Sequence, residues 1–163
     1  MIAHPRVLLH LTALLCIAAV AVALISQFAF DMQPCAWCVL QRLIFLAIAA
    51  VCWLGLLVGR FKAGLHRMAG ALVALLGGAG VVAAWYQYSV ASNMFSCDLT
   101  FADRFIAGSG LDAALPWLFG IYATCMDARV SILGIEYALW GMGLFIITAL
   151  LGLAIMLRDS DQK

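Results

Sequence analysis

The stretch QPCAWCVLQRLIFLAIAAVCW, from Gln33 to Trp53, places two cysteines three residues apart directly before a long apolar run. The run is about as long as the ~20 residues that a helix needs to cross ~30 Å of hydrocarbon. Cys35 and Cys38 form a CxxC pair, and Arg42 lies one helical turn beyond Cys38. The stretch therefore predicts a membrane-spanning helix with a reactive cysteine pair at its beginning.

The composition of the chain is that of a membrane protein. Of its 163 residues, 67% are hydrophobic and 10% are charged, and the mean hydropathy is +1.11. A soluble domain has about 25% charged residues, and it cannot bury this much apolar surface in its own core. The net charge of +1 and the lack of a basic cluster argue against nucleic acid as a partner.

Four apolar segments are long enough to cross the bilayer, over residues 7–30, 39–58, 68–89 and 137–157. Lipid cannot satisfy backbone hydrogen bonds, so these segments are expected to be helices. We predict an all-α membrane protein, a bundle of four transmembrane helices forming a single domain over residues 1–163. The second of its two outer loops is long and is expected to lie partly on the membrane surface.

The first apolar segment also resembles a secretory signal peptide. Arg6 precedes it, and AVA at residues 19–21 resembles a cleavage site. The apolar run continues to Phe30, which favours an uncleaved helix.

Lysine and arginine concentrate on one side of the predicted bundle, which identifies that side as cytoplasmic. These residues are Arg6, Arg60, Lys62, Arg67, Arg158 and Lys163. The other side holds most of the acidic residues, namely Asp31, Asp98, Asp103, Asp112, Asp127 and Glu136. We predict that both termini and the turn over residues 59–67 face the cytoplasm.

The six cysteines divide by their predicted position in the membrane. Cys16 and Cys52 fall within spans, where cysteine is commonly a small buried residue. The other four fall on the outer side: Cys35, Cys38, Cys97 and Cys125. Disulfides persist in oxidising compartments, and the even count indicates two pairs, although four cysteines allow three pairings.

The local sequence favours reactivity of the CxxC pair. Pro34 suits a helix start, so both cysteines are expected in the first turn. There, unpaired N–H groups and the positive helix end favour a thiolate. Arg42 lies on the same helix face as Cys38 and can stabilise its thiolate or an anion beside it. The alternative for Arg42 is a charge that snorkels to the membrane surface.

The cysteines also allow two non-enzymatic alternatives. A zinc site is not favoured, because Cys97 and Cys125 lack CxxC spacing and no histidine lies on the outer side. The second alternative is a scaffold in which a disulfide between Cys97 and Cys125 only staples a loop. A scaffold does not explain the CxxC, whose small disulfide ring tends to be labile.

The ordered set of motifs resembles the DsbB family of bacterial inner-membrane proteins. The resemblance rests on PCAWCVLQR, on the two loop cysteines Cys97 and Cys125, and on LGIEYALW before the last span. It implies a quinone-dependent thiol:disulfide oxidoreductase that reoxidises a periplasmic DsbA-like thioredoxin-fold protein. The electrons would pass to ubiquinone or menaquinone.

The same resemblance implies a role for each site residue. Cys97 would form the mixed disulfide with the DsbA-like partner, and Cys125 would exchange with Cys35. Cys38 would face the quinone, with Arg42 beside it in the quinone site. All four outer cysteines would therefore be catalytic.

The chain departs from the family pattern in two places. Gln41 stands where some relatives have glutamate, and AAWYQYSVASNMF before the second loop lacks a histidine that some members carry. A vitamin K epoxide reductase-like protein is the alternative with related chemistry. In that family the CxxC follows the loop pair, so the order of motifs here argues against it.

Three shorter features complete the prediction. AGSG at residues 107–110 is expected to be flexible. LPWLFGIY at residues 115–122 is expected to lie at the membrane surface and to hold Cys125 near Cys35. The glycines of residues 77–80 are expected to serve close helix packing.

Overall fold

The computed structural model describes residues 4–59, 64–93 and 100–158. Four long helices dominate it: α1 (Pro5–Ala29), α2 (Ala36–Val58), α3 (Leu65–Ser89) and α7 (Tyr137–Arg158). The second outer loop contains three short helices, α4 (Phe101–Ser109), α5 (Leu111–Ala114) and α6 (Pro116–Phe119). A 3-10 turn over Ala91–Asn93 precedes them, and a hairpin of β1 (Ser131–Ile132) and β2 (Ile135–Glu136) follows.

The four long helices correspond to the four predicted spans, and each is long and apolar enough to cross a bilayer. The predicted fold class is confirmed: the chain is an all-α, multi-pass membrane protein. Pro5 occupies the first turn of α1, where its missing N–H is not needed. Several residues named above lie outside the described residues, namely Arg60, Lys62, Cys97, Asp98 and Lys163.

Helices α3 and α7 approach each other closely through glycines. A Cβ atom on Gly77 would lie 2.8 Å from the backbone nitrogen of Ala149, and one on Gly152 would lie 2.5 Å from that of Ala74. Lipid tails are as apolar as side chains, so helices in a bilayer associate largely through such close contact. The expected packing role is confirmed at Gly77.

The hairpin before α7 was not predicted from the sequence. Its turn residues Leu133 and Gly134 have φ angles of 56° and 79°, as in the two-residue type I′ turn. A left-handed conformation is unfavourable for leucine. The hairpin fixes the start of α7, because the backbone N–H of Tyr137 donates to the carbonyl oxygen of Val130 at 2.9 Å.

The expectation of a flexible AGSG segment is wrong. Residues 107–109 form the last turn of α4, and Gly110 ends the helix with a φ of 70°. The helix is stable at this position because Ala102 and Ile106 are both fully buried in the cluster that contains the start of α2. The glycine therefore serves as a helix cap in a folded loop.

Candidate active site

The CxxC pair lies at the N-terminal end of α2, which is the end predicted to face the outer side of the membrane. Cys35 directly precedes the helix in an extended conformation, and Cys38 is in its first turn. This corrects the expectation that both cysteines lie in the first turn. The two sulfur atoms are 3.0 Å apart as hydrogen-bonded free thiols. Cys35 is fully buried, whereas Cys38 is partly accessible.

The second outer loop brings Cys125 to this pair. The backbone N–H groups of Tyr122 and Ala123 donate to the carbonyl oxygen of Pro34 at 3.1 and 3.3 Å. Phe119, just before them, is buried in the cluster that contains Cys35. The thiol of Cys125 forms a hydrogen bond with that of Cys35. The structure therefore places a cysteine of the second loop next to the CxxC pair.

The surroundings of Cys35 hold it in the thiol form. Hydrogen bonds with Cys125 and then with Cys38, followed by burial, raise the pKa of Cys35 well above its ordinary value. The expectation that the helix end favours a thiolate at both cysteines is therefore wrong for Cys35. Cys35 precedes the helix and faces two other sulfur atoms. These thiols affect its pKa more than the positive end of the helix does.

Arg42 is buried inside the bundle, with only 5% of its surface exposed. Its Nη1 donates to Gln27 Oε1 at 2.7 Å and to the carbonyl oxygen of Leu118 at 3.1 Å. Its Nη2 donates to the carbonyl oxygen of Ala23 at 3.3 Å. Arg42 thus connects α2 to α1 and α6. A guanidinium has five N–H donors, and three of them are used by acceptors within the described part of the chain.

Two glutamines complete the polar surroundings of Cys38. Gln87 Nε2, from α3, donates to Cys38 Sγ at 3.2 Å. Gln41 Nε2 donates in turn to Gln87 Oε1 at 2.6 Å, and both glutamines are buried. Gln87 was missed in the sequence analysis. The available signal was its position within an apolar span, since polar residues there are costly and often functional.

A cavity of about 480 Å³ adjoins Cys38 and lies between α1, α2 and α7. Its polar end is formed by five side chains: Cys38, Gln41, Arg42, Gln87 and Tyr137. The rest of its wall is apolar and includes Leu15, Phe45 and Leu144. Val22 and Trp140 also line it and are 56% and 45% exposed, so the cavity opens on the side of the bundle. This shape suits an apolar ligand with hydrogen-bond acceptors at one end.

The described residues contain no group of three or more histidine, cysteine or acidic side chains placed to hold a metal ion.

Comparison with known proteins agrees with this arrangement. A family model described as "Disulfide bond formation protein DsbB" matches residues 5–155. The chain belongs to the DsbB family. A disulfide bond formation protein B from Herminiimonas arsenicoxydans is 34% identical over 150 residues, covering 90% of this chain and 92% of the relative. One from Polaromonas naphthalenivorans is 32% identical over 165 residues, covering 98% and 95%.

The predicted resemblance to the DsbB family is confirmed by these matches. A more distant relative with the same name, from Pseudomonas syringae pv. tomato, is 29% identical over 153 residues, covering 93% of this chain and 89% of the relative. Membership of the DsbB family makes the chain a disulfide-bond formation protein of the membrane with disulfide oxidoreductase activity.

Proposed function

We propose that the protein is a quinone-dependent thiol:disulfide oxidoreductase of the bacterial inner membrane. It would reoxidise a DsbA-like periplasmic dithiol protein and pass the electrons to ubiquinone or menaquinone, with both termini in the cytoplasm. One observation carries this proposal: the CxxC pair contacts Cys125 of the outer loop through Cys35 and lines the bundle cavity through Cys38. A single thiol pair thus connects a loop that water-soluble proteins can reach with a cavity that lipids can reach.

The thiol chemistry proceeds by exchange through mixed disulfides. A thiolate of the partner attacks the sulfur of Cys97 in a Cys97–Cys125 disulfide, and Cys125 leaves. The partner's second thiolate then completes its own disulfide and releases Cys97. Cys125 next attacks Cys35 of a Cys35–Cys38 disulfide, and attack by Cys97 on Cys125 restores the loop disulfide. Two electrons thereby reach the CxxC pair, which is left as a dithiol.

The contacts among Cys35, Cys38 and Cys125 support this order. Cys35 is hydrogen-bonded to both of the other sulfur atoms, so it is the member of the pair that Cys125 can attack. Cys38 would then be the leaving group, and the hydrogen bond from Gln87 stabilises charge on its sulfur. Cys38 is also the member that lines the cavity.

The residues around the cavity fit a lipid quinone. The head group of a quinone is a flat apolar ring with two carbonyl acceptors, and its tail is an apolar chain. The volume of about 480 Å³ lies in the range of small-molecule sites, and the opening beside Val22 gives the tail a path to lipid. When bound, a quinone supplies the capacity to accept two electrons and two protons. Arg42, a permanent positive charge in a poorly solvated site, would stabilise negative charge at this end of the cavity.

The direct test is turnover by the purified protein. A reduced thioredoxin-fold dithiol protein of the DsbA class is mixed with the protein and a short-chain ubiquinone or menaquinone. We expect the partner to be oxidised only when both the protein and the quinone are present. The reaction is monitored by the loss of quinone absorbance. The same mixture without quinone should stop after the pre-existing disulfides are consumed. Lack of turnover with either quinone would reject the proposal in favour of inert structural disulfides.

A further inference from the structure

A second, smaller cavity adjoins the first. Its volume is about 30 Å³, enough for one water molecule. Six of its lining residues belong to the outer end of α1 and to the outer loops, and do not line the large cavity: Ser26, Met32, Gln33, Pro34, Ala128 and Val130. The small cavity therefore lies between the large cavity and the outer side of the bundle.

The two cavities share four lining residues, which are Ala23, Cys38, Arg42 and Tyr137. A proton that moves between the cavities must pass this shared wall. Alanine has no exchangeable side-chain proton, and a guanidinium does not give up its proton in proteins. The thiol of Cys38 loses its own proton as the disulfide forms, so it cannot carry further protons between the cavities. The phenol of Tyr137 is left, since a hydroxyl both donates and accepts hydrogen bonds.

The position of Tyr137 supports this choice. The hairpin holds its backbone through the hydrogen bond to Val130, and its side chain is close enough to Arg42 for an electrostatic interaction. Among the described residues, no histidine or carboxylate lines either cavity. Beside Tyr137, the described walls of the two cavities therefore offer only the Cys38 thiol and the Ser26 hydroxyl, and Ser26 lines the small cavity alone.

We propose that Tyr137 is a catalytic residue that donates a proton to a quinone oxygen in the large cavity and is reprotonated by water in the small one. This inference rests on the proposed function. As a disulfide bond forms between Cys35 and Cys38, two S–H bonds break, and two electrons and two protons leave the pair. The quinone receives two electrons and two protons, which form two O–H bonds. Tyr137 would give one of these protons and regain one from the water, which takes up the proton of one thiol. The proton of the other thiol would form the second O–H bond, so the two thiol protons balance the reaction.

The test compares Tyr137→Phe, Tyr137→His and a control, Tyr88→Phe. Tyr88 packs against Trp85 on α3 and lines neither cavity. Three properties are measured for each protein. They are quinone affinity by quenching of tryptophan fluorescence, the infrared carbonyl frequency of the bound quinone, and the rate of quinone reduction by the fully reduced protein.

For Tyr137→Phe we expect little change in quinone affinity, because the ring remains. The carbonyl frequency should rise, since a hydrogen bond to the oxygen is lost. The reduction rate should fall about 100-fold, at the lower end of general acid catalysis. Tyr137→His should recover most of the rate at low pH, where the imidazole is protonated and can donate a proton. The rate should fall as the pH rises through the ordinary imidazole pKa of about 6.5. Tyr88→Phe should match the wild type in all three measurements.

The outcomes separate this inference from the proposed function. If the wild type binds no quinone, the proposed function fails, and the role of Tyr137 fails with it. If the wild type binds and reduces quinone while Tyr137→Phe keeps its rate and carbonyl frequency, only the role of Tyr137 is overturned. Tyr137→Phe could also lose rate while its carbonyl frequency stays unchanged and Tyr137→His restores nothing. That result would show a structural effect and would also overturn the role of Tyr137.

Discussion

The two ends of α2 each carry cysteine in very different surroundings. Cys52, in the inner half, lies with Cys16 of α1 among apolar side chains such as Leu9 and Ile48. Cys35, at the outer end, contacts two other thiols. Both Cys52 and Cys35 are fully buried, so burial does not distinguish them. What differs is the set of polar partners and the adjoining cavity, and these decide whether a buried thiol has chemistry to perform.

The rest of the bundle also differs between the half that contains Cys52 and the half that contains Cys35. In the inner half, Gly70 and Gly152 bring the backbones of α3 and α7 into contact, which leaves little room for a ligand. In the outer half, Arg42 is buried and hydrogen-bonded to Gln27. Buried polar groups are costly in a membrane protein and are commonly retained where function requires them. His66 and Thr12 are also buried near the other end of the bundle, so the cavity beside the buried arginine, rather than burial of polar groups alone, supports the proposed site at the CxxC end.

The largest expected effect comes from exchanging one cysteine in each half for alanine. Cys38→Ala should abolish quinone-dependent oxidation, because the pair can no longer form a disulfide. Cys52→Ala should retain turnover and lose only about 1 kcal/mol of stability, as expected for a small cavity in an apolar core. Turnover and the thermal unfolding midpoint are measured for both purified variants. A folded but inactive Cys52→Ala protein would contradict the division.

The next effect concerns Arg42. In Arg42→Met, the methionine fills similar space but donates no hydrogen bond, so charge near Cys38 loses its stabilisation. We expect a 10- to 100-fold lower rate of quinone-dependent turnover, about 1.4–2.8 kcal/mol. Arg42→Lys keeps the charge without the planar donors and should retain partial activity.

The two Arg42 variants are compared over a series of quinone concentrations, beside single-turnover oxidation of the partner without quinone. Single-turnover oxidation should be unchanged, since it depends on the loop cysteines. Arg42→Met leaves acceptors such as Gln27 Oε1 without this donor, which costs about 1–3 kcal/mol each, so its thermal unfolding is measured too. An unchanged quinone dependence in folded Arg42→Met would show that the arginine has only a structural role.

The smallest expected effect concerns the pKa of Cys35. Its hydrogen bond with Cys125 is the largest cause of the raised pKa and favours the neutral thiol. Cys125→Ala removes this bond, so the pKa of Cys35 should fall and its thiolate should form at lower pH. We expect the midpoint of Cys35 alkylation in the reduced protein to move to lower pH, because the neutral thiol loses its main stabilising partner.

Alkylation of Cys35 is followed from pH 6 to 11 by mass spectrometry of the peptide, with fragmentation to separate Cys35 from Cys38. The Cys52→Ala protein serves as the control and should show the wild-type midpoint. A midpoint that stays constant or rises in Cys125→Ala would mean that the second loop does not hold its cysteine against Cys35.

Much of the fold was predictable because lipid imposes a simple rule on the chain. The length and apolar character of each span predicted the four helices, and PCAWCVLQR predicted the position of the cysteine pair. The one-turn spacing also placed Arg42 on the same side as Cys38. The AGSG segment was mispredicted because composition alone does not show that Ala102 and Ile106 bury one face of α4 and so stabilise it.

The sequence by itself determined the helices, the end of the bundle at which each motif lies and the family, since these depend on local composition and spacing. Tertiary structure alone decided which distant residues meet. It placed Gln87 against Cys38 and Tyr137 between the two cavities, and it gave the contact through which Cys125, already expected near Cys35, reaches that thiol. Each of these contacts joins residues far apart in the chain, and each depends on how helices and loops pack in three dimensions. Hydropathy and motif spacing carry no record of that packing.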